Sequence, residues 1–192
     1  MPGIARYVAV LDACVLYPAP IRDLLLSLAD ADLYHAKWTR QIQDEWVTNL
    51  LTNRPDLCRG QLEKTCADMA TAVPDCMVDG YDFIVSTLTL PDPGDRHVLA
   101  AAIKCNADAI VTLNMRDFPQ ATMDQYGIEA QHPDDFVMNQ IELSVPEALE
   151  AIKKLRGRLR NPPKSAADLI TTIEKQSMPQ TAEFLRAWQN LI

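Results

Sequence analysis

ARYVAVLDA, residues 5–13, is an apolar run of strand length that stops at an acid, and DAIVTL, residues 108–113, repeats the pattern before passing at once into polar residues. Both read as buried strands. Working outward from them, PIRDLLLSLADADLY (20–34) places Leu24, Leu25, Leu28 and Leu33 at helical spacing, and TRQIQDEWVTNLLTNRP (39–55) reads as a second helix. Thr39 suits the N-cap of that helix, and Pro55 falls just past its end. A third helix is expected over 57–74, a strand over 82–88 (DFIVSTL), and a turn-rich stretch over 90–95 (LPDPGD). Asp95 then opens a helix, where an acid suits the cap and the dipole. A short helix near 120–126 and a strand over 128–131 complete the series. Strands alternating with helices imply an α/β fold with a central parallel sheet covered on both faces.

The rest of the chain differs in kind. Residues 133–142 and 146–160 read as helices, NPPKS interrupts them, and two more follow over 166–176 and 179–191. The expected organisation is a sheet domain over 1–140 and a helical C-terminal extension over 141–192. A length of 192 residues suits this division, and 48% hydrophobic with 23% charged residues is ordinary for a globular protein. No apolar run is long enough to span a membrane, and the opening MPGIARYVAVLDACVLYPAP turns acidic too soon for a secretory leader, so a cytoplasmic location is expected. The five cysteines lack CxxC spacing and read as packing residues; His35, His97 and His132 are scattered and suggest no metal cluster.

Charge is uneven. Residues 1–140 carry 10 Lys/Arg against 20 Asp/Glu, whereas 141–192 carry 8 against 6, and KKLRGRLRNPPK (153–164) holds six cations and no acid. Such a body suits acids that hold a divalent metal while a local basic strip meets phosphate. Ligands of an open parallel sheet gather at the carboxyl ends of its strands. Asp12 ends the first strand, Asn114 and Asp117 follow the DAIVTL strand, and Asp92 and Asp95 precede a helix on the same edge. Glu45 lies one turn from Ile42, close to the buried stripe of its helix, where an acid is costly unless paired or bound to a cation. Oxygen donors of this kind select Mg²⁺ or Mn²⁺, and two such ions can activate water and stabilise a leaving oxygen in phosphodiester hydrolysis.

VLDACVLYP, DEW, DPGDRHVLAAAI and ADAIVTLNMRDFP together resemble the four sequence blocks of the PIN domain nucleases, most closely the VapC-like toxins, over about residues 5–140. The resemblance implies a PIN-like α/β/α sandwich and an Mg²⁺- or Mn²⁺-dependent endoribonuclease. Its substrate would be RNA, its partner a small antitoxin as in VapBC-type pairs, and its assembly a candidate homodimer with no membrane attachment. Asp12, Glu45 and Asp95 match the acidic metal ligands, Asp92 an auxiliary acid, and Thr112 the small hydroxyl near the site. Many PIN domains have a fourth acid where this chain has Asn114; Asp117 either supplies it or caps the next turn. Arg96 either reaches a phosphate or pairs with a site carboxylate. Lys153, Arg156 and Arg160 form a cationic helix face that contacts RNA or a partner, or is simply solvated.

Two rival readings stand beside this one. A phosphohydrolase of the haloacid dehalogenase type would need an acid two residues after Asp12, where this chain has Cys14. A non-catalytic PIN-like protein that binds RNA or a partner is compatible with Asn114.

Overall fold

A computed structural model describes residues 7–192, so positions 5 and 6 of the expected first strand, and the first six residues of the stretch weighed as a leader, lie outside the described residues. The chain runs β1 (Val8–Leu11), α1 (Ala13–Leu16), α2 (Ala19–Asp30), β2 (His35–Lys37), α3 (Arg40–Asn53), α4 (Arg59–Ala72), α5 (Asp82–Val85), α6 (Arg96–Lys104), β3 (Ala109–Val111), α7 (Gln120–Met123) and β4 (Glu129–Gln131). Four helices follow: α8 (Pro133–Leu143), α9 (Val145–Arg158), α10 (Ala166–Glu174) and α11 (Pro179–Ala187). The strands form a parallel sheet in the order β2-β1-β3-β4, with Ala9 opposite both Ala36 and Ala109, and Ala109 opposite Glu129. Ala9, Val10 and Leu11, and likewise Ala109, Ile110 and Val111, are completely buried. Successive strand residues point to opposite faces, so burial of every one means that both faces are covered. The α/β architecture with C-terminal helices is therefore as expected.

Three of the strands are entered the same way. Asp32, Asn106 and Gly127 adopt left-handed backbone (φ 64°, 50° and 65°) two or three residues before β2, β3 and β4. At each, the next residue's N–H reaches back five positions: Leu33 to Leu28 O (3.1 Å), Ala107 to Ala102 O (2.8 Å), Ile128 to Met123 O (3.3 Å). This is the Schellman stop, which satisfies the last carbonyls of a helix and turns the chain toward the sheet. Asn and Asp tolerate the conformation, and Gly adopts it without a Cβ penalty.

Two expectations are corrected. Residues 82–88 do not form a strand: α5 occupies Asp82–Val85, with Ile84 N–H bonded to Tyr81 O at 2.9 Å. Its β-branched residues suggested a strand, but only Tyr81, Leu88 and Leu90 find core positions, and Phe83 is 70% exposed beneath the Lys104 ammonium, 5.8 Å from its ring centroid. Strand propensity is realised only where a partner strand exists. The fourth strand is instead β2, three residues (HAK) at the sheet edge with Ala36 alone buried, too short and polar to show periodicity.

The C-terminal helices are tied to the sheet body. α9 packs along α2, where Arg158 Nη2 donates to Ser27 Oγ at 2.6 Å. Asp134, in the first turn of α8 and almost fully buried, accepts from Gln180 N (2.9 Å), Thr181 N (2.8 Å) and Thr181 Oγ1 (2.7 Å), fixing the start of α11. Among the described residues no helix is long and apolar enough to cross a membrane.

Candidate active site

A pocket of 440 Å³ opens at the carboxyl-end rim of the sheet, lined by Asp12, Glu45, Asp95 and Asn114 together with Cys14, Tyr17, Asn49 and Asn53. Four of the oxygen-bearing residues singled out from sequence thus meet in one cavity. No Lys, Arg or His is among the described residues lining it.

Asp12 leaves β1 and serves as N-cap of α1, its Oδ1 accepting from Ala13 N at 2.6 Å. Its Oδ2 accepts from Thr112 Oγ1 at 2.7 Å and from Cys14 Sγ at 3.1 Å. Only 5% of Asp12 is exposed, and these three donors allow the carboxylate to remain there. Thr112 is completely buried, and its hydroxyl also accepts from Asn114 N at 3.0 Å. Matched in the sequence to a hydroxyl near the site, Thr112 is placed to set the orientation of Asp12 and the course of the chain at Asn114. Burial and the Asp12 charge push the Cys14 thiol up to about 12, so it stays protonated as a donor and is no nucleophile.

Glu45 is 38% exposed, on the pocket side of α3. The helix begins where Thr39 Oγ1 accepts from Ile42 N at 3.0 Å, and it is anchored by the fully buried Trp46 with the Arg22 guanidinium 5.0 Å from its ring centroid. Arg40 pairs with Asp44 and Arg54 with Asp56, so neither neutralises Glu45. Its Oε1 instead accepts from His97 Nε2 at 3.0 Å and Gln41 Nε2 at 3.2 Å. His97 is 4% exposed, and while Nε2 serves Glu45 its Nδ1 has no partner. Sequence reasoning gave His97 no site role. The signal was there: the apolar run VLAAAI directly after it marks α6 as buried on nearly every side, and a buried imidazole needs a partner.

Asp95 precedes α6 but makes no capping hydrogen bond. Burial, then the charges of Asp12, Asp117 and Asp92, push its carboxyl up to about 6, with His97 opposing. Asp92 uses Oδ1 to accept from Gly94 N at 2.7 Å, and a Cβ at position 94 would stand 3.1 Å from that oxygen, a close fit that a side chain there would press upon. Asp117 donates its N–H to Asn114 O at 3.0 Å. Asp92 and Asp117 thus act on the pocket through their charge without lining it. Arg96 forms no ion pair with a site carboxylate among the described residues, and its Nε is buried without a partner. Lys153, Arg156 and Arg160 do not line the pocket; Arg156 Nη1 donates to Lys164 O at 3.3 Å, which ties the end of α9 to the following loop.

The donor set is all oxygen and carries uncompensated negative charge, which fits a hard divalent cation. Among the described residues no three His, Cys, Asp or Glu side chains are already closed around one point. The carboxylates ring an open pocket and would have to draw inward to share an ion.

Residues 133–187 match the family model described as the VapC50 C-terminal domain. A curated protein of Mycobacterium tuberculosis (strain ATCC 25618 / H37Rv), named "Putative ribonuclease VapC50", is 38% identical over 88 residues, which are 46% of this chain and 52% of that protein. The chain therefore spans about half the length of the curated relative it matches. No solved structure matches.

Proposed function

We propose that this chain, which is VapC-like and carries a C-terminal helical extension matching the VapC50 C-terminal domain, is a metal-dependent endoribonuclease and the toxin of a toxin–antitoxin pair. The observation that carries this reading is the charge of the pocket. Asp12, Glu45 and Asp95 face a common space with no basic residue among those lining it, and Asp95 already resists ionisation because it is partly buried and has acidic neighbours. A phosphodiester could approach such a wall only with a cation between them. Mg²⁺ or Mn²⁺ bound there would neutralise the carboxylates and supply Lewis acidity toward the scissile phosphate. Asp12 and Asp95 would hold the ion with Glu45, while Asn114 would contribute a neutral oxygen; Asp92 and Asp117 would raise the pull of the pocket on cations.

The chain's own residues set the rest. Thr112 and Cys14 keep Asp12 Oδ2 turned to a fixed position, and His97 does the same for Glu45. A small antitoxin covering the acidic rim, a homodimer, a cytoplasmic location and a unit boundary near residue 140 belong to the same reading. The neutral Asn114 favours one alternative, a PIN-like protein that binds RNA or a partner without cutting. Cleavage of RNA in Mn²⁺ by the wild type, Asp12→Asn and Asp95→Asn separates the two. Activity in the wild type and loss in both variants is expected; equal activity in all three would overturn the metal-site assignment.

A further inference from the structure

The pocket has two chemically different ends. Asp12 caps the start of α1 and Tyr17 caps its finish, while Glu45, Asn49 and Asn53 follow one another at four-residue spacing on the packed neighbour α3. At 1.5 Å rise per residue, each step along α3 is about 6 Å, and a spacing of four keeps the side chains on one face. The two elements are joined away from the acids by Asn53 Nδ2 donating to Tyr17 OH at 3.1 Å. Beyond the carboxylates the lining is therefore uncharged: a phenol, Pro18 and two amides.

This neutral wall offers a phosphate no opposite charge, only the uncharged donors of its amides and phenol. It offers a nucleobase a good deal. An asparagine amide presents a donor and an acceptor side by side, the pattern found on base edges. The Asn49 amide makes no hydrogen bond within the described structure, and Asn53 keeps its Oδ1 available once Nδ2 is committed to Tyr17. An aromatic ring beside them suits the stacking by which unpaired bases are held. We propose that Tyr17, Asn49 and Asn53 form a subsite for one unpaired nucleobase flanking the scissile phosphate, so that base identity is read on α3 while the backbone is held at the acids. The subsite gives the substrate class of the proposed ribonuclease, and rests on that reading only for what happens at the neighbouring phosphate.

Nucleosides carry no phosphate and need no metal, so they test the wall alone. Saturation-transfer NMR with the four ribonucleosides in EDTA should show contact with the wild type and a preference among the four. Asn49→Ala and Asn53→Ala should each weaken that contact severalfold; alanine is favoured in a helix, so α3 is retained. In Mn²⁺, cleavage of a random-sequence oligoribonucleotide pool should show a base skew beside the cut, which flattens in both variants as KM rises about tenfold, the scale of one lost amide–base pair. Mn²⁺ affinity by calorimetry should hold in both. No nucleoside contact in the wild type, or a base skew that survives both substitutions, overturns the subsite. Nucleoside contact that depends on Asn49 and Asn53 without any RNA cleavage would retain the subsite and overturn the ribonuclease reading.

Discussion

Replacing His97 by Leu removes the buried donor of Glu45 and leaves Gln41, on the exposed side of the same helix, as its remaining partner. Hydrogen bonds to charged groups contribute about 1.5–3 kcal/mol. Because Glu45 is 38% exposed, water replaces part of the loss, and the lower bound of about 1.5 kcal/mol applies. At about 1.4 kcal/mol per decade this is roughly a tenfold weaker hold on Mn²⁺, the low end of the 10- to 100-fold usual when an outer partner of a metal ligand is removed. The fold should tolerate the change, since Leu suits the apolar surroundings of α6 and the orphaned Nδ1 disappears. Calorimetric titration of Mn²⁺ into the wild type, His97→Leu, His97→Gln, Glu45→Gln and the Leu/Gln double variant provides the measurement. His97→Gln keeps an N–H donor and should stay within about threefold of wild type. In the Glu45→Gln background His97→Leu should add almost nothing, because the two act through one bond. Full Mn²⁺ affinity in His97→Leu, or an undiminished loss in the double variant, would refute the argument.

Asp95 makes metal-free stability depend on pH. Its folded carboxyl titrates near 6 against 3.8 for the ordinary group, so between these values the unfolded chain binds fewer protons and stability falls as pH rises. In EDTA, Asp95→Asn should therefore melt above wild type at pH 7 and converge with it at pH 4; a difference that does not change with pH would count against the burial and repulsion described. Asp134→Ala would leave two backbone N–H groups and one hydroxyl at the start of α11 unsatisfied in a buried place, costing about 2–4 kcal/mol. Its mark should be faster amide exchange in α11 than in the central strands, and uniform protection would show that the carboxylate is dispensable.

What the sequence disclosed depended on whether a residue's role followed from its own neighbours in the chain. Asp12 and Asn114 were legible because each follows a strand that declares itself by burial, and Thr39 because its capping bond spans three residues. Glu45 was legible through Ile42, which sets the inward face of α3. For His97 the run VLAAAI shows that a partner is needed but not that it is Glu45, because that partner lies on another helix and no local pattern says which side of α6 meets α3. The strand β2 escaped notice because three residues at an edge bury one alanine. The segment at 82–88 misled because its side chains favour a strand while the sheet has no place for it. Tyr17, Asn49 and Asn53 carried no signal; only the packing of α1 on α3 makes them a wall.

The parallel sheet also divides the molecule into an end that must be kept and an end that can be altered. Every pocket residue follows the exit of β1 or β3, lies on α3 or, in the case of Asp95, precedes α6, whereas the Schellman stops at Asp32, Asn106 and Gly127 all lie at strand entrances. Extra residues inserted at Asn106 or Gly127 would lengthen a turn without moving a pocket carboxylate, but a single residue added between Thr112 and Asn114 would break the bond from Asn114 N to Thr112 Oγ1 and turn the rim. The entrance side is therefore the place to graft a tag or a reporter, and the side on which length variation should leave the pocket unchanged.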